Sequence, residues 1–254
     1  MPAPRFSLLS VLIPCYNEEA TIERTLDAVF AQRSRLQSLG LGLQIVTVDD
    51  ASNDATHDRL QRRAEAGEDG LIVARHAENR GKGAAIRTAR EHATGDIAII
   101  QDADLEYDPS DIPAMIKPML AGQADAVVGT RFGGAGAHRV LYFWHRVGNL
   151  GLTLLSNMFT NLNLTDMEVG YKAFTMDAFR RMHLTNSRFG IEPEIVARLS
   201  QMGARVYEVP ISYYGRTYAE GKKITWRDGV AALNHIARAH LSWRTQERLP
   251  SMHA

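Results

Sequence analysis

From Leu8 to Val128 the chain keeps returning to one unit, a short apolar and mostly β-branched run followed by a polar, Ala- and Arg-rich stretch long enough for a helix. The runs are Leu8–Ile13, Leu43–Val48, Leu71–Ala74, Ile97–Ile100 and Ala126–Val128. Strands that alternate with helices pair in parallel, so the rhythm predicts a doubly wound α/β sheet. Ligands of such sheets bind at the carboxyl ends of the strands. The residues just past each run are therefore the first place to look for chemistry. Pro14-Cys15-Tyr16-Asn17-Glu18-Glu19 comes after the first, Asp49-Asp50-Ala51-Ser52 after the second and Asn79-Arg80-Gly81-Lys82-Gly83 after the third. Asp102-Ala103-Asp104 comes after the fourth and Gly129-Thr130-Arg131-Phe132 after the fifth.

After Gly133 the rhythm breaks. A Gly-rich stretch with His138 and Arg139 reads as a loop, and the segment from Tyr142 to Leu162 carries apolar residues at helical spacing, a face for the core or for a membrane surface. A helix from Glu192 to Met202, a strand from Val206 to Ile211 and an amphipathic helix from Trp226 to Glu247 complete the expectation.

Charge separates the two parts. Residues 1–130 hold 13 Lys+Arg against 20 Asp+Glu, and the remainder 16 against 9. An acidic half suits a divalent cation and a basic half suits a phosphate. The whole chain has net charge +0, so no global basic field holds nucleic acid by counterion release. Cys15 is the one cysteine, which excludes an intrachain disulfide and a thiolate metal cage. With no signal-like or spanning segment, the expected place is the cytoplasm, with any membrane contact peripheral.

Asp102 and Asp104 flank one small residue after a strand, so both carboxylates can face a common ligand. One or two carboxylates with open positions hold Mg2+ or Mn2+ when substrate phosphates supply the other ligands. The Lys82 loop does not satisfy the spacing of a P-loop, and no Gly-x-Gly-x-x-Gly comes after the first strand, so dinucleotide binding has no support.

Taken in order, Pro-Cys-Tyr-Asn-Glu from Pro14, Asp49-Asp50-Ala51-Ser52, Asn79-Arg80-Gly81-Lys82-Gly83, Asp102-Ala103-Asp104-Leu105, Gly129-Thr130-Arg131 and the pair Arg216 and Lys222 resemble the inverting family-two glycosyltransferases of the GT-A fold. Within them the chain looks most like the dolichyl-phosphate mannose synthase branch of polyprenyl-phosphate glycosyltransferases. The resemblance runs from Ser7 to Gly229. It implies a GT-A three-layer α/β sandwich with a mostly parallel, Rossmann-like central sheet. It also implies one domain, with 1–130 for nucleotide sugar and metal, 131–229 for acceptor, and 230–254 as a C-terminal amphipathic helix and tail.

By the same resemblance Pro14, Tyr16, Glu18, Val48, Asp50, Asp102, Ala103 and Asp104 border the nucleotide sugar. Asp102, Asp104 and Glu106 are the metal carboxylates, Glu106 standing where relatives often carry Gln or Ser. Arg131, Arg216 and Lys222 clasp the leaving diphosphate and act with Asp104 in catalysis, since cations placed there meet charge that grows in the transition state. Arg131, Arg146 and Arg216 receive the acceptor, although Val147 stands where mannose synthases often have Ser after the Arg. The implied reaction moves a hexose from a nucleotide diphosphate sugar of the GDP-mannose or UDP-glucose type to a polyprenyl phosphate with inversion. It takes place at the inner face of the cell membrane, where a separate membrane subunit can take part. A lipid phosphate arrives anionic and needs no base, whereas a sugar hydroxyl does, and Glu192 and Glu194 are the base candidates for that alternative. A receiver-like signalling module would also carry acidic strand ends but leaves residues 131–254 without purpose.

Overall fold

The computed structural model describes residues 6–133, 140, 142–188, 190–215 and 252. Arg216, Lys222, Arg139, His138 and the expected C-terminal helix lie outside them.

Among the described residues seven strands form one sheet. They are β1 (Leu8–Cys15), β2 (Gly42–Asp49), β3 (Leu71–Arg75), β4 (Ile97–Ile100), β5 (Ala126–Thr130), β6 (Lys172–Thr175) and β7 (Val206–Pro210), in the order β3-β2-β1-β4-β6-β5-β7. The first four run parallel, with Leu9 opposite Leu43 and Ile97, and β5 runs parallel to β7. β6 is antiparallel to both of its neighbours, β4 and β5. The sequence rhythm does not announce this strand, because its four residues begin with a fully buried lysine.

Helices cover both faces: α1 (Ile22–Phe30), α2 (Arg33–Ser38), α3 (Thr56–Glu65), α4 (Lys82–His92), α5 (Ile112–Leu120), α6 (Phe143–Thr160), α7 (Met176–Arg181) and α8 (Ile191–Gln201). The two cores result from strand alternation. Leu9, Val11 and Ile13 of β1 point to the side of α1 and α5, while Leu12 joins Val46, Val48 and the α4, α7 and α8 side chains on the other. This is the α/β GT-A sandwich with a largely parallel sheet. The expected strands and the α8 helix stand within two residues of their sequence bounds.

α6 is the inverted element. Its buried residues are Asn149, Thr153, Ser156 and Thr160, so its polar side faces the protein and its apolar side faces outward. Polar bonds hold it there. The Asn149 amide donates to Asp166 Oδ1 at 3.0 Å, Thr153 Oγ1 accepts from Met167 N at 3.1 Å, and Asn157 binds both backbone groups of Leu164. The helix stops at Asn161, whose φ of 55° is the left-handed cap that Asn tolerates.

Candidate functional site

The carboxyl ends of β1, β2 and β4 meet at one edge, with Asp49, Cys15 and Asp102 at or just past them. Beneath the turns beyond these strands, side chains bind neighbouring backbone. Asn17 N donates to Ser52 Oγ at 2.9 Å and Glu18 N to Thr56 Oγ1 at 2.8 Å. Glu18 Oε2 accepts from Thr21 Oγ1 at 2.9 Å, so its carboxylate supports the start of α1. Pro14 is half-buried and Tyr16 stands half-exposed at the rim, with its hydroxyl 3.5 Å from Asn53 Nδ2. Val48 is fully buried, which leaves only its backbone to border a nucleotide.

Asp50 is committed to its own chain. It accepts from Arg80 N at 2.9 Å, Gly81 N at 2.7 Å and the ring of His76 at 2.6 Å. Its carboxylate therefore shapes the 79–81 loop, where Gly81 takes φ +90° and an added Cβ would lie 2.3 Å from Ser187 O.

That loop delivers Lys82, a member of the Asn79–Gly83 motif to which the sequence assigned no catalytic or metal role. Lys82 Nζ lies 2.8 Å from Asp102 Oδ1 and 3.0 Å from Glu192 Oε1. Burial alone would lower its pKa, but Asp102 and Glu192 outweigh that and hold the ammonium well above its ordinary value. Gly170 permits the cluster, because a Cβ there would sit 2.5 Å from Asp102 Oδ2 and 3.0 Å from Lys82 Nζ.

Ala103 is buried, its carbonyl accepting from Thr25 Oγ1 at 2.9 Å. Asp104 Oδ1 accepts from Glu106 N at 3.1 Å, closing a turn around Leu105 with its φ of 60°. Of the expected metal carboxylates Asp102, Asp104 and Glu106, the third is engaged by a tyrosine. Glu106 Oε2 accepts from Tyr213 Oη at 2.9 Å, and among the described residues no group of three or more His, Cys, Asp or Glu could hold a metal ion. Asp102 and Asp104 still have the donor chemistry that Mg2+ or Mn2+ takes when diphosphate oxygens complete the shell.

Arg131 is drawn into a buried fork. Its Nε and Nη2 each donate to Asp166 at 2.6 Å, and its guanidinium lies 5.2 Å from the Tyr213 ring centroid. Burial opposes the charge, yet Asp166 more than offsets it and raises the Arg131 pKa. Arg146 is exposed on α6, with its guanidinium 5.1 Å from the Phe132 ring.

Of the two base candidates, Glu194 is occupied. Its oxygens accept from Thr185 N at 2.9 Å, Thr185 Oγ1 at 2.7 Å and Asn186 N at 2.8 Å. Glu192 is buried, and its Oε2 has no hydrogen-bond partner. A second orphan, Glu168 Oε1, belongs to a carboxyl that burial and then Glu192 push up to about 7. Lys172, beneath it, donates to the carbonyls of Met167 and Val169 and is pushed down to about 8 by burial. Asp166, Glu168 and Lys172 belong to none of the sequence motifs. Their signal was an acidic pair and a lysine within seven residues, after a segment from Ala126 to Thr165 with no acid at all.

Residues 10–186 match the glycosyl transferase family 2. The chain belongs to that family. An uncharacterised protein of Methanocaldococcus jannaschii is 31% identical over 206 residues, covering 79% of each chain. The undecaprenyl-phosphate mannosyltransferase of Micrococcus luteus is 28% identical over 230 residues, 88% of this chain and 90% of that one. Glucosyl-3-phosphoglycerate synthase from Mycobacterium tuberculosis, solved with Mn2+, UDP and phosphoglyceric acid, superposes with a TM-score of 0.69 at 20% identity, covering 93% of this chain and 78% of that one. As a GT-A glycosyltransferase of family 2, the protein transfers a sugar from a nucleotide diphosphate sugar donor.

Proposed function

We propose that this glycosyltransferase acts on a hydroxyl acceptor and that Glu192 takes the hydroxyl proton. One observation carries the reading: Glu192 Oε2 is buried without a partner while Oε1 is held 3.0 Å from Lys82, which also binds Asp102. A carboxylate oxygen kept from water and from protein donors costs free energy unless something else supplies a proton to it. An attacking hydroxyl does so, and its oxygen then displaces the nucleotide diphosphate from the opposite face of the anomeric carbon, inverting it. Glu194 is excluded as the base by its three bonds to Thr185 and Asn186. Asp102 and Asp104 would hold Mg2+ or Mn2+, which supplies positive charge to the leaving diphosphate.

A second reading, transfer to a polyprenyl phosphate at the cytoplasmic membrane face, is favoured by the outward apolar side of α6 beside the Arg131 fork. The name of the Micrococcus luteus relative points the same way. Such an acceptor is already anionic and needs no base.

Transfer assays with Mn2+, a nucleotide sugar panel and both acceptor classes separate the two. The first reading expects turnover on hydroxyl acceptors and a drop of about 10²–10⁴-fold in Glu192→Gln. Efficient transfer to polyprenyl phosphate that survives this substitution would replace it with the second.

A further inference from the structure

His76 is a buried histidine that neither acceptor reading uses. It stands just past β3 with its ring held between Asp50 and α4: Nδ1 lies 2.6 Å from Asp50 Oδ1, and Nε2 lies 2.9 Å from Thr88 Oγ1. A carboxylate only accepts, so Nδ1 carries its proton toward Asp50 in either charge state of the ring. Asp50 thus takes three donors, His76 Nδ1 and Arg80 N on Oδ1 and Gly81 N on Oδ2. The two oxygens of a carboxylate offer about four acceptor positions. Oδ1 is filled, and the position that remains is on Oδ2. Asp50 also stands at the site edge, its N donating to the carbonyl of Cys15 at 2.8 Å, next in the chain to the half-exposed Tyr16.

We propose that His76 selects the base of the nucleotide sugar donor, by leaving Asp50 a single acceptor position that suits a base with one ring N–H, uracil or thymine, and not guanine. A flat base laid against Tyr16 meets Asp50 with its edge, and what that edge carries decides the fit. Cytosine and adenine turn a ring nitrogen lone pair toward the carboxylate and are repelled. Uracil and thymine turn one N–H toward it, flanked by carbonyls. Guanine presents a ring N–H and an amino N–H side by side, a pair that a free carboxylate accepts with both oxygens. Here the second of them meets an oxygen that already holds two hydrogens, and an unpaired donor in a buried place weakens binding.

Of the three donors on Asp50, His76 is the one that a side-chain change withdraws. Arg80 N and Gly81 N belong to the backbone turn in which Gly81 takes φ +90° against Ser187, so they stay in place. The inference rests on the donor being a nucleotide diphosphate sugar and on neither acceptor reading.

The test is titration calorimetry of the full chain with UDP, CDP, GDP and IDP in the presence of Mn2+. Hypoxanthine differs from guanine only in lacking the amino group, so IDP against GDP counts the open acceptor positions at constant ring size. The wild type should bind UDP more tightly than CDP, and IDP about tenfold more tightly than GDP. His76→Leu opens the position on Oδ1, so its ratio of GDP to IDP affinity should rise toward one. A histidine that merely supports the loop would instead weaken all four ligands alike and leave that ratio unchanged. His76→Asn, whose amide N–H can stand where Nδ1–H does, should restore the wild-type ratio. Thermal unfolding of both variants reports whether they fold, and the wild-type ratios decide alone if His76→Leu does not. GDP bound as tightly as IDP by the wild type, CDP bound as tightly as UDP, or an unchanged ratio in a folded His76→Leu overturns the proposal. Because binding is read without an acceptor, unchanged transfer in Glu192→Gln would overturn the hydroxyl reading and leave the base preference standing.

Discussion

Lys82 Nζ lies 2.8 Å from Asp102 Oδ1, so the first carboxylate of the acidic pair just past β4 is tied to the first residue of α4. The same ammonium reaches Glu192 on α8. One cation thus draws three elements together at the sheet edge, and it is what lets the partly buried Asp102 and the buried Glu192 face one another.

Removing it should be costly. In Lys82→Met, Asp102 and Glu192 lose their shared counter-charge, and loss of one partner of a buried ion pair costs about 3 kcal/mol. Urea unfolding should show this as a lower midpoint with unchanged slope. Adding Asp102→Asn should recover part of the loss, because one of the uncompensated charges goes with it. A double variant no more stable than the single would show that the lysine acts through packing instead.

The Arg131 fork makes a different demand. Both of its bonds to Asp166 are 2.6 Å, a geometry that only a planar guanidinium supplies. Arg131→Lys keeps the charge and loses one of the paired donors, so it should cost about 1.5–3 kcal/mol of stability and lower kcat by more than it raises the donor KM. Thermal unfolding and steady-state kinetics on the same preparation check both. A variant as stable as wild type would detach the fork from the fold.

Stability should pass through a minimum near neutral pH. Glu168 is raised from 4.5 to about 7 by burial and Glu192, so the folded state binds its proton more tightly than the unfolded chain does. Its contribution is complete below pH 4.5 and is lost as pH climbs to about 7, about 3 kcal/mol in all. Lys172 is lowered from 10.5 to about 8 by burial, so its contribution is present above 10.5 and is lost as pH falls to about 8. Denaturation midpoints across this range should fall, then rise. Glu168→Gln should flatten the acid limb and Lys172→Met the alkaline one; a wild-type curve level from pH 5 to 10 would refute both shifts.

How much of this was legible in the sequence depended on the periodicity of each element. β1 to β5 showed themselves as short β-branched runs, buried on both faces in β2, β4 and β5 and only partly buried in β3, and the polar residues that end them marked the site edge. β6 was hidden by Lys172, whose burial depends on the backbone carbonyls of Met167 and Val169, which no residue pattern advertises. Asp50 and Glu194 were legible as acids near the site, but not as acids already satisfied by backbone N–H groups, since those donors come from loops 30 and 8 residues away. The apolar spacing of α6 was plain, while the direction it faces was set by the partners of Asn149 and Thr153 on the 166–167 turn.

The acidic pair itself gives the last prediction. Asp104 Oδ1 accepts from Glu106 N at 3.1 Å, and an asparagine oxygen in the same place accepts that bond equally well. Asp104→Asn should therefore keep the turn around Leu105 and an unfolding midpoint close to wild type, while removing one negative charge from the place a divalent cation would take. Metal stabilisation of a leaving diphosphate is worth several kcal/mol, so turnover should drop by about 100-fold or more, and the residual rate should no longer respond to added Mn2+. Asp102→Asn is the contrasting case, because Lys82 already neutralises that carboxylate; it should lose stability as well as rate. Turnover measured across a Mn2+ titration, with thermal unfolding of both variants, separates them. Normal Mn2+-dependent activity in Asp104→Asn would move the cation elsewhere.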